Sequence, residues 1–254
     1  MPAEWSLSSL YGFWLALARV SGFFALAPLP GVQAGPKLAR IVLSVLITVA
    51  LAPAWPRVDA AQADIPRLLL WVLPEIGGGV ALGLAVAFIL EVFVTGAQIL
   101  SLNAGFSFAQ TFDPATQAES GVLLVFAQMA SGLVFVALGL DRQVIRELAH
   151  SLETRPGGPW LTPATAEPLL RMGGVMLALA LRLALPCLAL LILADVALAL
   201  LGRLNAQLQL LTLAFPLKMM GALIVVAWIT LLLPSILSAY AAAVFGTLRQ
   251  ALGF

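Results

Sequence analysis

The chain has 254 residues, of which 62% are hydrophobic and 10% charged, with a net charge of +1. A soluble domain carries about 25% charged residues, so much of this surface must face lipid or other protein rather than water. The near-neutral charge argues against a nucleic-acid partner, and the single cysteine (Cys187) and single histidine (His150) exclude an internal disulfide and multi-histidine metal motifs.

A bilayer core takes about 20 mainly apolar residues in a helix, and no stretch shows the alternation of a membrane β-strand. Met1 to Leu10 carries no positive charge, so no cleavable signal is expected and the first apolar run, Leu10 to Leu29, should remain as a membrane helix. Only Arg19 interrupts it. Pro30, Gly31, Gly35 and Pro36 lead to a second, shorter run, Ile41 to Trp55, closed by Pro53 and Pro56. A polar link over 57–67 precedes Leu68 to Leu102, whose only charges are Glu75 and Glu91. As one helix this run would be about 52 Å long, more than a hydrocarbon core, so it must tilt, bend, project or be buried among partners. The Gly77-Gly78-Gly79 run offers a bend or a close helix contact.

The link Asn103 to Ser120 combines Gly105 with Phe106, Phe108 and Phe112, and the turn signal Asp113-Pro114 follows. A solvated loop has little use for three phenylalanines. It reads as buried, re-entrant or packed in a channel mouth, or as ordinary helix-end packing. Val122 to Leu140 is the next apolar run. Over Asp141 to Thr154, Val144, Ile145, Leu148 and Leu152 stand at helical spacing among charges, which predicts a short amphipathic helix. Arg155 to Pro163 reads as a Pro/Gly turn. Two long runs remain, Gly173 to Leu201 and Leu208 to Phe245. Pro186 is expected to bend the first, and Pro216 and Pro234 to punctuate the second. The sum is an all-α membrane protein of six spans, three hairpins in one domain. An even count places both termini on one side, and the excess of positive residues there predicts the cytoplasm.

Charges inside the apolar runs are the candidate functional residues. Ser8, Gly12, Ala16, Arg19 and Gly22 fall on one helix face, a stripe of small residues around one cation. Because arginine in lipid is costly, Arg19 serves a structural ion pair or assembly contact, snorkels from a helix end, or touches a transported species. Arg182 and Asp195 lie near opposite faces of one helix and need separate partners; Asp195 can pair with Lys218 across the last hairpin or with another subunit. These three ionisable groups fit a proton or ion path as well as a densely packed assembly. Pro216 removes a backbone hydrogen bond beside Lys218 and, with Pro186, is a candidate hinge. Its freed carbonyl would face a pore or a neighbouring helix, or belong to an ordinary kink. Enzyme motifs are missing: there is no phosphate loop, His-Glu zinc motif or Gly-x-Ser-x-Gly elbow. No catalytic, cofactor or metal residue is expected.

The ordered set of motifs resembles the FliR family of export-gate subunits of flagella and its injectisome counterpart in type III secretion. Ala18-Arg19-Val20-Ser21-Gly22 with Pro28, Gly105-Phe106 with Asp113-Pro114, Leu140-Asp141, Asp195 before a leucine-rich turn with Arg203, and Phe215-Pro216-Leu217-Lys218 carry the likeness over nearly the whole chain. Ala206-Gln207-Leu208-Gln209 departs from it where the family commonly has Pro-Gln followed by x-Asn. The phenylalanine before Pro-Leu-Lys leans toward the flagellar version.

The resemblance implies bent helical hairpins in which 1–172 is FliP-like and 173–254 FliQ-like. It implies a single copy assembled with FliP-like and FliQ-like subunits, with an FlhB-like switch protein outside, in the inner membrane of the flagellar basal body. The loop from Gly105 to Asp113 would plug a pore that passes unfolded exported proteins, with energy from the proton motive force and no cofactor. Such an assembly, lifted from the bilayer plane, would also remove the premise of the charge-based topology. A small-solute transporter is the main alternative, but the halves of the chain have unlike break patterns. A scaffold without pore contact is the third reading.

Overall fold

A segment inside a bilayer has no water to satisfy its amides, so a chain this apolar bonds them within helices. The computed structural model describes residues 7–28, 37–56, 65–106, 121–154, 156–157, 162–204 and 210–252, and among them every regular element is helical. In chain order these are α1 (Leu7–Leu26), α2 (Lys37–Ala50), a 3-10 turn (Ala52–Ala54), α3 (Ile65–Ala104), α4 (Val122–Ala137), α5 (Leu140–Thr154), α6 (Pro163–Leu204) and α7 (Leu210–Leu252).

Four of these, α1, α3, α6 and α7, are long and apolar enough to cross a membrane, and the bent pair α4–α5 raises the number to at most five. Six spans were expected. The difference comes from Ile41–Trp55, which yields only the 14-residue α2 before the proline-containing 3-10 turn stops it. There the Trp55 indole donates to the Thr48 carbonyl at 2.8 Å and folds the chain back on the helix. With four or five candidate spans in place of six, the count no longer fixes both termini on one side.

The breaks also fall differently. The glycine run at 77–79 does not interrupt α3, which continues for 40 residues through Pro74 as well. Likewise α6 continues past Pro186, and α7 runs for 43 residues through Pro216 and Pro234. The real break is at Gly139, whose φ of 68° is open to glycine and separates α4 from α5 by a 68° bend. The expected Pro/Gly turn ends sooner than Pro163, because that proline is the first residue of α6. Thr162 caps it: the Ala166 amide donates to the Thr162 carbonyl at 2.9 Å, and the Thr162 amide donates to Thr165 Oγ1 at 3.1 Å. Proline at the first helical position loses no hydrogen bond.

The chain divides into two compact units. One comprises Met1–Ile89, Gly139–Gly173 and Tyr240–Phe254, the other Leu90–Leu138 and Gly174–Ala239. In the first, α1 and the first half of α3 cross with backbone against backbone. A Cβ placed on Gly22 would lie 2.5 Å from the Ile76 carbonyl oxygen, one on Gly79 1.9 Å from that of Arg19, and one on Gly83 2.6 Å from that of Phe23. Gly79 and Gly83 have the four-residue spacing that lets membrane helices meet closely; of the glycine run, Gly79 serves this contact. Amphipathic α5 packs into this unit through Val144, Leu148 and Leu152, whereas Ile145 points outward. The Tyr240 hydroxyl donates to the Met172 carbonyl at 2.8 Å, fastening α7 to α6.

In the second unit Phe93, Phe135, Cys187, Val226 and Leu233 form the core. The Ser131 hydroxyl donates to the Leu90 carbonyl at 2.9 Å, and Gly96 lets α3 approach the backbone of Ala180 on α6.

Because the obstacle at Gly79 is backbone, no rotamer change relieves it. Gly79→Ala should destabilise the chain by at least the about 1–3 kcal/mol usual for overpacking. Gly221→Ala, with open space around it, should be neutral or gain up to about 1 kcal/mol of helix propensity. Denaturant titration of the two variants in mixed micelles checks this.

Candidate functional site

Arginine holds five N–H donors and keeps its charge, so burying it requires acceptors brought from elsewhere. Arg19 and Glu75 have side chains 0% exposed. Arg19 Nε donates to Glu75 Oε2 at 2.5 Å, joining α1 to α3. Arg19 Nη1 donates to the Ser151 carbonyl oxygen and, at 3.2 Å, to the Ser151 hydroxyl, joining α1 to α5. That hydroxyl in turn donates to the Leu148 carbonyl at 2.7 Å. The second carboxylate oxygen of Glu75 accepts the Gly157 amide at 2.6 Å, which pins the turn after α5. One guanidinium thus gathers three helices and a turn.

The small residues around Arg19 explain how it is reached. Ala16 is buried, Gly22 admits the α3 backbone, and a Cβ on Gly12 would lie 2.6 Å from the Pro56 carbonyl oxygen. The stripe faces protein along this length. Arg19 is fully enclosed by its own unit. A second tie in the same unit links α5 to the end of α7: Arg249 Nε donates to Glu147 at 3.0 and 3.3 Å, reinforced by Arg249 Nη2 to Glu147 Oε1.

In the second unit Lys218 on α7 forms an ion pair with Asp195 on α6, the intrachain partner that the last hairpin offered. Arg182 is exposed on α6, and among the described residues it has no ion-pair partner. Pro186 and Pro216 are exposed and sit within continuous helices. Gly105, with φ 87°, ends α3: the Phe106 amide donates back to the Ser101 carbonyl at 3.1 Å, a six-to-one closure characteristic of a glycine helix stop. Phe108, Phe112 and Asp113 lie outside the described residues. Arg19 is a clamp of the first unit, Asp195 and Lys218 tie the second, and Gly105–Phe106 form a helix terminus. Among the described residues no three His, Cys, Asp or Glu side chains gather as metal ligands.

Glu75, Ser151, Gly157, Glu147 and Arg249 were not singled out from sequence. Glu75 had a legible signal: it is one of two charges in a long apolar run, and a buried cation elsewhere calls for such an anion. Gly157 acts through its amide and Ser151 partly through its carbonyl, and backbone atoms carry no residue signature.

Removing one member of a buried pair leaves the other uncompensated, at about 3–5 kcal/mol. Arg19→Leu and Glu75→Leu should each cost that much, and the double variant less than the sum of the two. Equilibrium unfolding of all three in mixed micelles measures the coupling; strict additivity would contradict the clamp.

Comparison with known proteins gives the chain its family. Residues 10–244 match the family described as bacterial export proteins, family 1. The chain is 32% identical over 236 residues to the flagellar biosynthetic protein FliR of Escherichia coli K12, covering 92% of this chain and 90% of that protein. It is 28% identical over 224 residues to the protein of the same name from Pectobacterium carotovorum, covering 87% and 85%. To that of Bacillus subtilis 168 it is 23% identical over 216 residues, covering 81% of each. Matched over residues 10–244 and built of long apolar helices, the chain belongs to the FliR family of bacterial export proteins.

Proposed function

We propose that the chain is a subunit of the flagellar type III protein-export gate and helps form the gated pore through which unfolded flagellar proteins cross the inner membrane. The observation that carries this reading is the 32% identity over nine-tenths of both chains to a flagellar biosynthetic protein. The relatives described above are flagellar, which favours that system over an injectisome. In this reading the chain does no chemistry and needs no cofactor. It joins FliP-like and FliQ-like subunits within the basal body, with 1–172 acting as the FliP-like part and 173–254 as the FliQ-like part, and an FlhB-like switch protein lies outside.

The helical surfaces support a role within an assembly. In α3 67% of the most apolar window is buried, against 28% in α7 and 17% in α6. Helices that are apolar all round and so little covered need other helices or lipid around them.

Deleting the gene in its flagellated host should abolish secretion of hook and filament proteins and swimming, and a plasmid copy should restore both. Undiminished flagellar export would overturn the proposal, and loss of injectisome secretion alone would move the chain to that system. The plug role of the loop from Gly105 to Asp113 rests on family likeness. A chain lacking 107–112, which keeps the Gly105 helix stop, should still assemble but raise the membrane's ion leak; an unchanged leak would count against the plug.

A further inference from the structure

Arg182 is an exposed charge on an apolar helix that has no ion-pair partner among the described residues. Asp195 is committed to Lys218, and among the described residues no ion pair joins Arg182 to half-buried Glu91 or to any other carboxylate. Its neighbours on α6, Val175, Leu177, Leu181 and Leu185, are exposed and apolar.

Lipid alone satisfies this surface only at a cost. From Met172 to Gly202 the helix has no charge except Arg182 and Asp195, and at 1.5 Å per residue it measures about 46 Å. The hydrocarbon core is about 30 Å thick. If the core covers Val175 to Leu181, it also covers or closely borders the guanidinium. If the core is placed beyond Arg182, the exposed side chains of Val175, Leu177 and Leu181 stand in water. Each placement therefore makes the guanidinium snorkel toward the headgroups at a cost or leaves apolar side chains short of the hydrocarbon. A protein helix that is apolar along its length and carries one carboxylate removes both costs at once.

We infer that Arg182 is the docking cation for a carboxylate on a neighbouring subunit's apolar helix, which lies against the face of α6 carrying Ala178, Leu181, Arg182 and Leu185. This pairing rests on the export-gate reading and names the contact by which the second unit meets its neighbour. Arg19 is the intrachain precedent: an arginine in an apolar helix, made tolerable by a carboxylate from another helix. The bidentate geometry of guanidinium and carboxylate also fixes the register of the two helices.

The test uses the full chain co-produced with its FliP-like and FliQ-like subunits. In the R182K variant, dicyclohexylcarbodiimide should join the new amine to the facing carboxylate, and peptide mass spectrometry of the crosslink should place that carboxylate on a partner helix. R182L and R182E should lower the recovered complex about tenfold, whereas R182K retains most of it. R182C should react with a charged maleimide at least tenfold more slowly in the complex than in the chain alone. An intact R182K complex with no crosslink to a partner, or a crosslink only to Glu91, would overturn the pairing. So would full recovery of the R182L complex, which assigns the arginine to lipid headgroups, or equal maleimide rates, which place it on a water-filled pore. If the unaltered chain fails to associate with those subunits at all, the export-gate reading itself falls, a result separable from an intact complex in which Arg182 is unpaired.

Discussion

The burial of one arginine organises the first unit. An ion taken from water into an apolar interior loses several kcal/mol of hydration even after the surroundings relax, and Arg19 recovers it only because acceptors arrive from α3 and α5. Those acceptors can arrive only if the helices come close, and Gly22, Gly79 and Gly83 remove the side chains that would hold α1 and α3 apart. Charge and glycines are thus parts of one device: the glycines set the separation at which the ion pair closes, and the ion pair fixes which faces meet. Glu75 extends the constraint to the Gly157 turn, and Glu147 with Arg249 ties α5 to the end of α7.

The second unit handles charge otherwise. Asp195 and Lys218 neutralise each other between α6 and α7, while Arg182 and long apolar faces remain uncovered. A unit tied by its own ion pairs, together with one that keeps an exposed arginine on long apolar faces, fits the proposal of a subunit within an assembly. Chain-wide likeness to flagellar export proteins agrees with that conclusion.

Much of the helical plan is legible in the sequence because apolar runs between Pro/Gly-rich links fix where helices form. Internal prolines do not end the helices they stand in: Pro74, Pro186, Pro216 and Pro234 all sit within continuous helices. Gly139, which carries the bend, stands out only through its positive φ. The start of α6 was readable in Thr162-Pro163, a capping residue followed by proline, but the surrounding Pro/Gly composition masked it. Arg19 is conspicuous as a charge in an apolar run, yet its partners are settled by tertiary packing. The Asp195–Lys218 pair is more legible since it joins consecutive helices of one hairpin. Ser151, contributing a carbonyl as well as its hydroxyl, leaves little trace in side-chain pattern.

The central proposal is that this chain is one part of a hetero-oligomeric export gate, completed by the helices of other subunits. The most direct measurement is native mass spectrometry of the chain drawn from its own membranes in mild detergent. The expected result is a single copy held with several FliP-like and FliQ-like subunits and no stable pool of the lone chain. Recovery of the chain as a stable monomer, or solely as a homo-oligomer, would contradict it.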